Sequence, residues 1–324
     1  MVALDDDGVV ALGDDGPVPD GLHVRSFAWV CGRALPVRGG NTRRAGPLPG
    51  RRTLVEACAP GEDGPVTDTA ARATHLLELH RAPELLTVVN VWDVVSTTVV
   101  ADVPGTRAIA TASHSIAAML GYEDGENIPV DEMLAAVERI VRATDLPVTA
   151  DLESGYGDPA GTVARAVDLG VVGANLEDGM RPLADSVRAV EAAMGAARDA
   201  GVPDFCLNAR TDAFVKAEGR SPQECLDAAI ERGRAYLDAG APLVFVPRAT
   251  ERAHVEALVE AFGPQRLTLI GVPGTLPLAE LEQLGVARVS YGPWSQRVAL
   301  TALQQLVEGV HEGRGLPEGT RPLN

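Results

Sequence analysis

The stretch LPVTADLESGYG at residues 146–157 decides the fold. An apolar run, Pro147–Ala150, ends in two alternate carboxylates, Asp151 and Glu153, and then in a loop hinged by Gly155 and Gly157. A short apolar run with β-branched residues reads as a buried strand, and glycines let a backbone turn close to a ligand. The same layout recurs downstream. ANLEDG at 174–179 again closes an apolar run with an acid, and CLNARTD at 206–212 closes one with an arginine. Three successive strands thus deliver acid, acid and arginine.

Working outward, short apolar runs fall at 85–92, 108–112, 147–152, 173–177, 205–210, 243–247, 267–272 and 288–292. Between them lie amphipathic patterns, among them 131–143, 159–169, 184–200, 222–239, 251–262 and 277–284. Gly170, Gly201, Gly240, Gly263 and Gly285 stand where helices should stop. Eight strand–helix units predict an α/β fold of the (β/α)8 barrel type. The rival, an open doubly wound sheet, calls for a glycine-rich first turn, and no G-x-G-x-x-G follows any strand. In a barrel the active site lies at the C-terminal ends of the strands. Asp151, Glu153, Glu177 and Arg210 are all expected there.

Residues 1–67 read differently. Asp-Asp-Gly recurs at 6–8 and 14–16, His23–Val30 and Thr53–Ala59 have strand character, and 38–52 is rich in Gly, Pro and Arg. The expectation is a small β-rich or partly disordered N-terminal extension over 1–67, with the barrel over 68–324.

The net charge of −17 argues against a nucleic-acid partner, which needs a basic face. No apolar run reaches the roughly 18 residues of a membrane span. The opening residues are acidic rather than basic and apolar, so no secretory signal is expected. Cys31, Cys58, Cys206 and Cys225 show no metal spacing and read as reduced thiols, so a cytoplasmic setting is expected.

A cluster of carboxylates suits hard Mg²⁺, with Mn²⁺ as a substitute. Asp151 reads as the direct ligand, and Glu153 and Glu177 as holders of coordinated waters. Such an ion suits a 2-oxo acid and stabilises the enolate left when the adjacent bond breaks. Arg210 offers a planar fork for a carboxylate. His114 and Tyr156 are the candidate proton carriers. Ser113 reads as a hydrogen-bond donor, not a nucleophile, for want of a base with its own orienting group. His254 reads as a surface residue.

The motifs Asn90-Val-Trp-Asp93, Asp151–Gly157, Leu176-Glu-Asp178, Asn208–Asp212 and Arg288–Pro293 resemble those of the isocitrate lyase/phosphoenolpyruvate mutase superfamily, over about residues 69–313. The resemblance implies a (β/α)8 barrel, Mg²⁺, and a C–C or P–C bond made or broken through a 2-oxo acid or its enolate. It implies metal-shell roles for Asp151, Glu153, Glu177 and Asp124, and a substrate role for Arg210. It places Ala112, Ser113 and His114 in the turn that grips a substrate carboxylate, with Asn208 and Trp92 beside it. It also implies a homodimer or homotetramer in which the C-terminal helix, about 295–312, swaps between neighbours. The apolar residues Val298, Leu300, Leu303, Leu306 and Val310 form the stripe that such a swap would bury.

This chain departs from the family pattern after Glu177. The C–C lyases carry Lys-Arg-Cys-Gly-His there, and the phosphonate mutases a longer lid with Lys, Asn and Ser. Here Asp178–Asp185 runs straight toward a helix. A short lid excludes water less well, which favours C–C cleavage of a small 2-oxo or 2-hydroxy dicarboxylic acid over P–C chemistry. Two rivals remain: a mutase or hydrolase of the P–C bond, and a barrel without catalysis that serves as a binding partner.

Overall fold

The computed structural model describes residues 65–323. The extension expected over 1–67 lies outside these residues up to Gly64, and helix α1 (Pro65–Arg81) opens within its last three positions. The strands are β1 (Leu86–Val88), β2 (Asn90–Val91), β3 (Ile109–Thr111), β4 (Val148–Asp151), β5 (Gly173–Glu177), β6 (Cys206–Arg210), β7 (Leu243–Phe245), β8 (Leu267–Ile270) and β9 (Arg288–Ser290). The remaining helices are α2 (Val94–Ala101), α3 (Ser113–Leu120), α4 (Val130–Val141), α5 (Pro159–Asp168), α6 (Leu183–Asp199), α7 (Pro222–Asp238), α8 (Arg252–Phe262), α9 (Leu278–Leu284) and α10 (Trp294–His311).

All strands run parallel, in the order β1-β9-β8-β7-β6-β5-β4-β3-β2. β1 and β2 are two halves of one strand interrupted at Val89. The first half pairs with β9 and the second with β3, which closes the sheet. Counted this way there are eight strands, and the architecture is the expected (β/α)8 barrel. The strands bury nearly every side chain, as a sheet covered by helices requires. Helix ends match their sequence signals. Ser221 and Glu224 form a reciprocal capping box ahead of α7, and Asp158 caps α5 with Pro159 at its first position. All five glycines named above adopt positive φ at helix ends.

The barrel interior is layered. Parallel pairing sets Asp151 beside Asn175 and Asn175 beside Asn208, with Glu177 and Arg210 paired two residues further up. A strand's period of two keeps these residues on one face, so they stack in layers toward the C-terminal rim. Below them Arg288 is paired with Thr268 in the core.

Helix α10 stands apart. Its first turn is anchored by Ser295 Oγ donating to Asn90 O at 2.6 Å and Gln296 Nε2 donating to Ser115 O at 3.0 Å. Beyond that, Val298, Leu300, Leu303 and Val310 are exposed, Val298 by 69%. Among the described residues no helix is long and apolar enough to cross a membrane.

Candidate active site

At the C-terminal end of the strands lies a cavity of about 170 Å³. Its wall includes Asp151, Asn175, Arg210, Ser113, His114 and Asp124. Ala112 also lines it, with Asn90, Phe245 and Ser290 from other strands.

The turn between β3 and α3 holds Asp151. Ser113 donates to Asp151 Oδ2 through its backbone N at 3.2 Å and its Oγ at 3.0 Å. Asp151 N donates back to Thr111 Oγ1 at 2.9 Å. In the turn expected to grip a substrate carboxylate, the Ser113 N–H is thus spent on the chain's own acid. His114, one residue on, places Nδ1 3.4 Å from Asp124 Oδ2, so a carboxylate lies beside this imidazole at the cavity wall.

The loop after β4 is strained. Glu153 and Tyr156 adopt φ of 50° and 54°, beside Gly155 at 96°. A Cβ on Gly155 would come within 2.7 Å of Pro159 Cα, so the close turn excludes a side chain there. Each left-handed non-glycine costs on the order of 1 kcal/mol, and such strain persists where surrounding bonds over-determine it. Here Glu126, not foreseen from sequence, supplies those bonds. Its Oε1 accepts from Ser154 N (3.0 Å), Ser154 Oγ (2.7 Å) and Tyr156 N (2.7 Å). Its backbone N donates to Glu153 Oε2 at 2.5 Å, and Tyr156 Oη donates to Glu153 Oε1 at 3.2 Å.

Burial, then the charges of Asp151 and Asp124, push Glu153 up to about 7. Burial also lifts Glu177 to about 7; Arg210 opposes this, while Asp212, Asp151 and Glu153 add to it. Burial and the Glu153 charge raise the Tyr156 phenol, so it stays neutral and acts as a donor to Glu153.

Arg210 Nη1 meets Glu177 Oε2 at 2.6 Å, and Nε meets Asp212 Oδ1 at 2.7 Å. Nη2 has no partner among the described residues. Below this pair, Asp178 Oδ1 accepts from Met180 N at 2.8 Å and Asp212 N at 3.0 Å. Its Oδ2 accepts from Tyr236 Oη at 2.6 Å and Arg232 Nη1 at 3.1 Å. Burial alone would raise Asp178, but these hydrogen bonds outweigh it and hold the carboxyl below its usual range. One buried acid therefore ties α7 to the segments that follow Glu177 and Arg210. Only Asp178–Pro182 separate β5 from α6, so the short lid read from the sequence is present.

Not every expected residue reaches the cavity. Asn208 is fully buried one layer beneath the Glu177–Arg210 pair, bonded to Asn175 and Thr268. Trp92 lines an apolar groove with Val95, Trp294 and Val298 outside the barrel. The Tyr156 hydroxyl faces Glu153. His254 is half-buried against Phe214, ring centroids 5.3 Å apart, rather than at the surface. Cys206 and Cys225 are buried free thiols. Asn175, by contrast, lines the cavity although only its motif had drawn notice.

Among the described residues no three His, Cys, Asp or Glu side chains form a ready direct-ligand cluster. The donor chemistry still fits Mg²⁺, which takes few direct protein ligands and keeps several waters. The set is all oxygen, with Asp151 and Asp124 on the cavity wall. Glu153 and Glu177 stand behind them, each raised first by burial and further by neighbouring negative charge that a cation would relieve.

The sequence profile of the family described as phosphoenolpyruvate phosphomutase matches residues 76–311. The "Probable 2-methylisocitrate lyase 1" of Corynebacterium glutamicum is 34% identical over 239 residues, 66% of this chain and 73% of that protein. The 2,3-dimethylmalate lyase of Eubacterium barkeri is 32% identical over 212 residues, 60% of this chain and 69% of that one. The crystal structure of a "putative phosphonomutase" from Burkholderia cenocepacia J2315 matches with a TM-score of 0.69 at 42% identity, covering 74% of this chain and 98% of that chain. With a matched profile spanning most of its length and the barrel-end acids in place, this chain belongs to the phosphoenolpyruvate phosphomutase family, within the isocitrate lyase/phosphoenolpyruvate mutase superfamily.

Proposed function

We propose that the chain is a Mg²⁺-dependent lyase or hydrolase that cleaves a C–C bond in a small 2-oxo or 2-hydroxy dicarboxylic acid by way of an enolate. The observation that carries this is the cavity itself, where Asp151 and Arg210 share a wall with His114. Asp151, with Asp124, Glu153 and Glu177 behind it, would hold the ion, whose charge neutralises the substrate's oxygens. Ser113 and Thr111 keep Asp151 in place. Arg210 presents the free Nη2 edge of its fork to a carboxylate, with Glu177 and Asp212 fixing its plane. His114, with Asp124 beside its Nδ1, exchanges a proton at its other ring nitrogen. Tyr156 serves this site by holding Glu153.

The likeness to lyases from C. glutamicum and E. barkeri supports C–C chemistry, as does the short Asp178–Pro182 connection. A second reading, P–C bond chemistry, draws on the likeness to the Burkholderia structure. Incubation with oxaloacetate, malate homologues, 2-methylisocitrate and phosphonopyruvate in Mg²⁺ separates the two. Pyruvate, oxalate or glyoxylate from a phosphorus-free acid supports C–C cleavage; phosphate or a rearranged phosphonate as the sole product overturns it.

The bare face of α10 fits a second copy of the chain, with the groove between Trp92 and Trp294 as neighbouring apolar surface. Light scattering should give a dimer or tetramer, and a monomer at micromolar concentration would rule this out.

A further inference from the structure

Asn175 stands on the cavity wall one layer below Glu177 and Arg210, in register with Asp151. Its carboxamide is held from inside the barrel. Asn208 Nδ2 donates to Asn175 Oδ1 at 2.8 Å, and Arg288 Nη2 donates to the same oxygen at 3.2 Å. Thr268 Oγ1 in turn donates to Asn208 Oδ1 at 2.7 Å. Thr268, Asn208 and Arg288 are all fully or almost fully buried.

Arginine has donors and no acceptor, so the Asn175 atom that faces Arg288 must be its oxygen. The amide orientation therefore follows from chemistry. With Oδ1 committed to two donors, Nδ2 points away from them, and no described residue accepts its hydrogens. A buried guanidinium whose only side-chain hydrogen bond among the described residues goes to a neutral amide is otherwise a cost without a return. Its Nε also lacks a hydrogen-bond partner among the described residues. Placed behind Asn175, however, the cation polarises the amide and strengthens its N–H groups as donors.

We propose that Asn175 is a fixed N–H donor to an oxygen of the bound substrate, and that Arg288, acting through Asn175, is a positioning residue beneath the cavity. This rests on the functional reading above, which makes that oxygen a carboxylate or enolate oxygen. A donor aimed before the substrate arrives loses nothing to reorganisation as negative charge develops. Asn208, which the motif had suggested as a substrate contact, holds this donor from one strand away.

The test is calorimetric titration of the full chain with oxalate in Mg²⁺. Oxalate is the planar dianion nearest in shape and charge to the enolate of a small 2-oxo acid. Asn175→Ala should bind oxalate at least about tenfold more weakly, the loss of one hydrogen bond to a charged acceptor. Should that variant unfold because Arg288 loses its partner, the double variant Asn175→Ala/Arg288→Met removes both groups and should show the same loss. Arg288→Met alone removes the cation that polarises Asn175 and leaves Asn208 as the donor that holds its Oδ1. It should weaken oxalate binding while leaving Mg²⁺ affinity as in the parent. A lowered Tm with unchanged oxalate affinity in Arg288→Met overturns its positioning role. Unchanged affinity in the Asn175 variants overturns the proposal alone. A parent chain that binds Mg²⁺ but no oxalate overturns the functional reading and this proposal together.

Discussion

The two ends of the barrel carry cavities of opposite character. The larger, about 480 Å³, opens beside the N-terminal ends of β6, β7 and β8. Its charged members are the exposed Arg81 and Arg266 and the half-buried Asp204, and its one buried titratable group, His80, is held neutral. Burial and the Arg288 charge press that imidazole down to about 3, while Nδ1 donates to Leu76 O at 2.7 Å. The smaller cavity, about 170 Å³, sits at the C-terminal ends. There the acids press on one another, two glutamates are pushed up to about 7, and the adjoining loop holds non-glycine residues in left-handed conformations. Volume thus does not locate the chemistry. Under the proposed function a cluster of acids that raise one another does, and it lies at the end where barrels keep their sites.

This contrast can be broken by substitution at either end. The largest effect is expected at Asp151. Asp151→Ala should cut turnover by about three orders of magnitude or more, since under the proposed function it removes the direct ligand of the ion. Its thermal midpoint should hold or rise, because a strand-end acid serves the site rather than the core. Substantial activity in this variant would show that the acids are only a solvated rim. Arg210→Lys comes next, with kcat/KM falling by about two orders of magnitude, because an ammonium cannot reproduce a fork already set by Glu177 and Asp212. Parent-like kinetics for the lysine variant would remove the carboxylate clamp.

A smaller effect should appear in stability against pH. Glu153 and Glu177 have folded-state pKa values of about 7, above the ordinary 4.5. A raised acid adds stability while it is protonated; that contribution is complete below the unfolded value and is lost as pH rises through the folded one. In chelator, Tm should therefore fall between about pH 5 and pH 8. Mg²⁺ should recover it at the upper end by offsetting the carboxylate charge. A flat profile in chelator would contradict the electrostatic account. The smallest effect belongs to the opposite end, where Arg266→Ala should change stability by no more than about 0.5 kcal/mol and leave kcat unchanged. A large loss of activity there would undo the contrast between the ends.

The strands were legible because a sheet covered by helices needs apolar runs, and because most helices stop at glycine. Helix α2 was not. Its sequence, VVSTTVVA, is dominated by β-branched residues and reads as strand. The helix forms because Asp93 and Ser96 cap it reciprocally and it packs on β2 and β3. Asp151, Glu177 and Arg210 were legible as charges at strand ends. The roles of Asn175 and Asn208 were not, because which amide faces the cavity depends on strand register and barrel layering. Trp92 belonged to a recognisable motif, yet its direction is set by the turn into α2. Glu126 gave no signal at all, since its partners lie 27 to 30 residues away in sequence.

The central claim is that the C-terminal cavity works through a divalent cation held by its acids. The direct test is the initial rate of cleavage of the best-turned-over acid, measured for the full chain in Mg²⁺, in excess chelator, and after Mg²⁺ is restored. The account predicts loss of turnover in chelator and its return with Mg²⁺ or Mn²⁺. Undiminished turnover in excess chelator would contradict it.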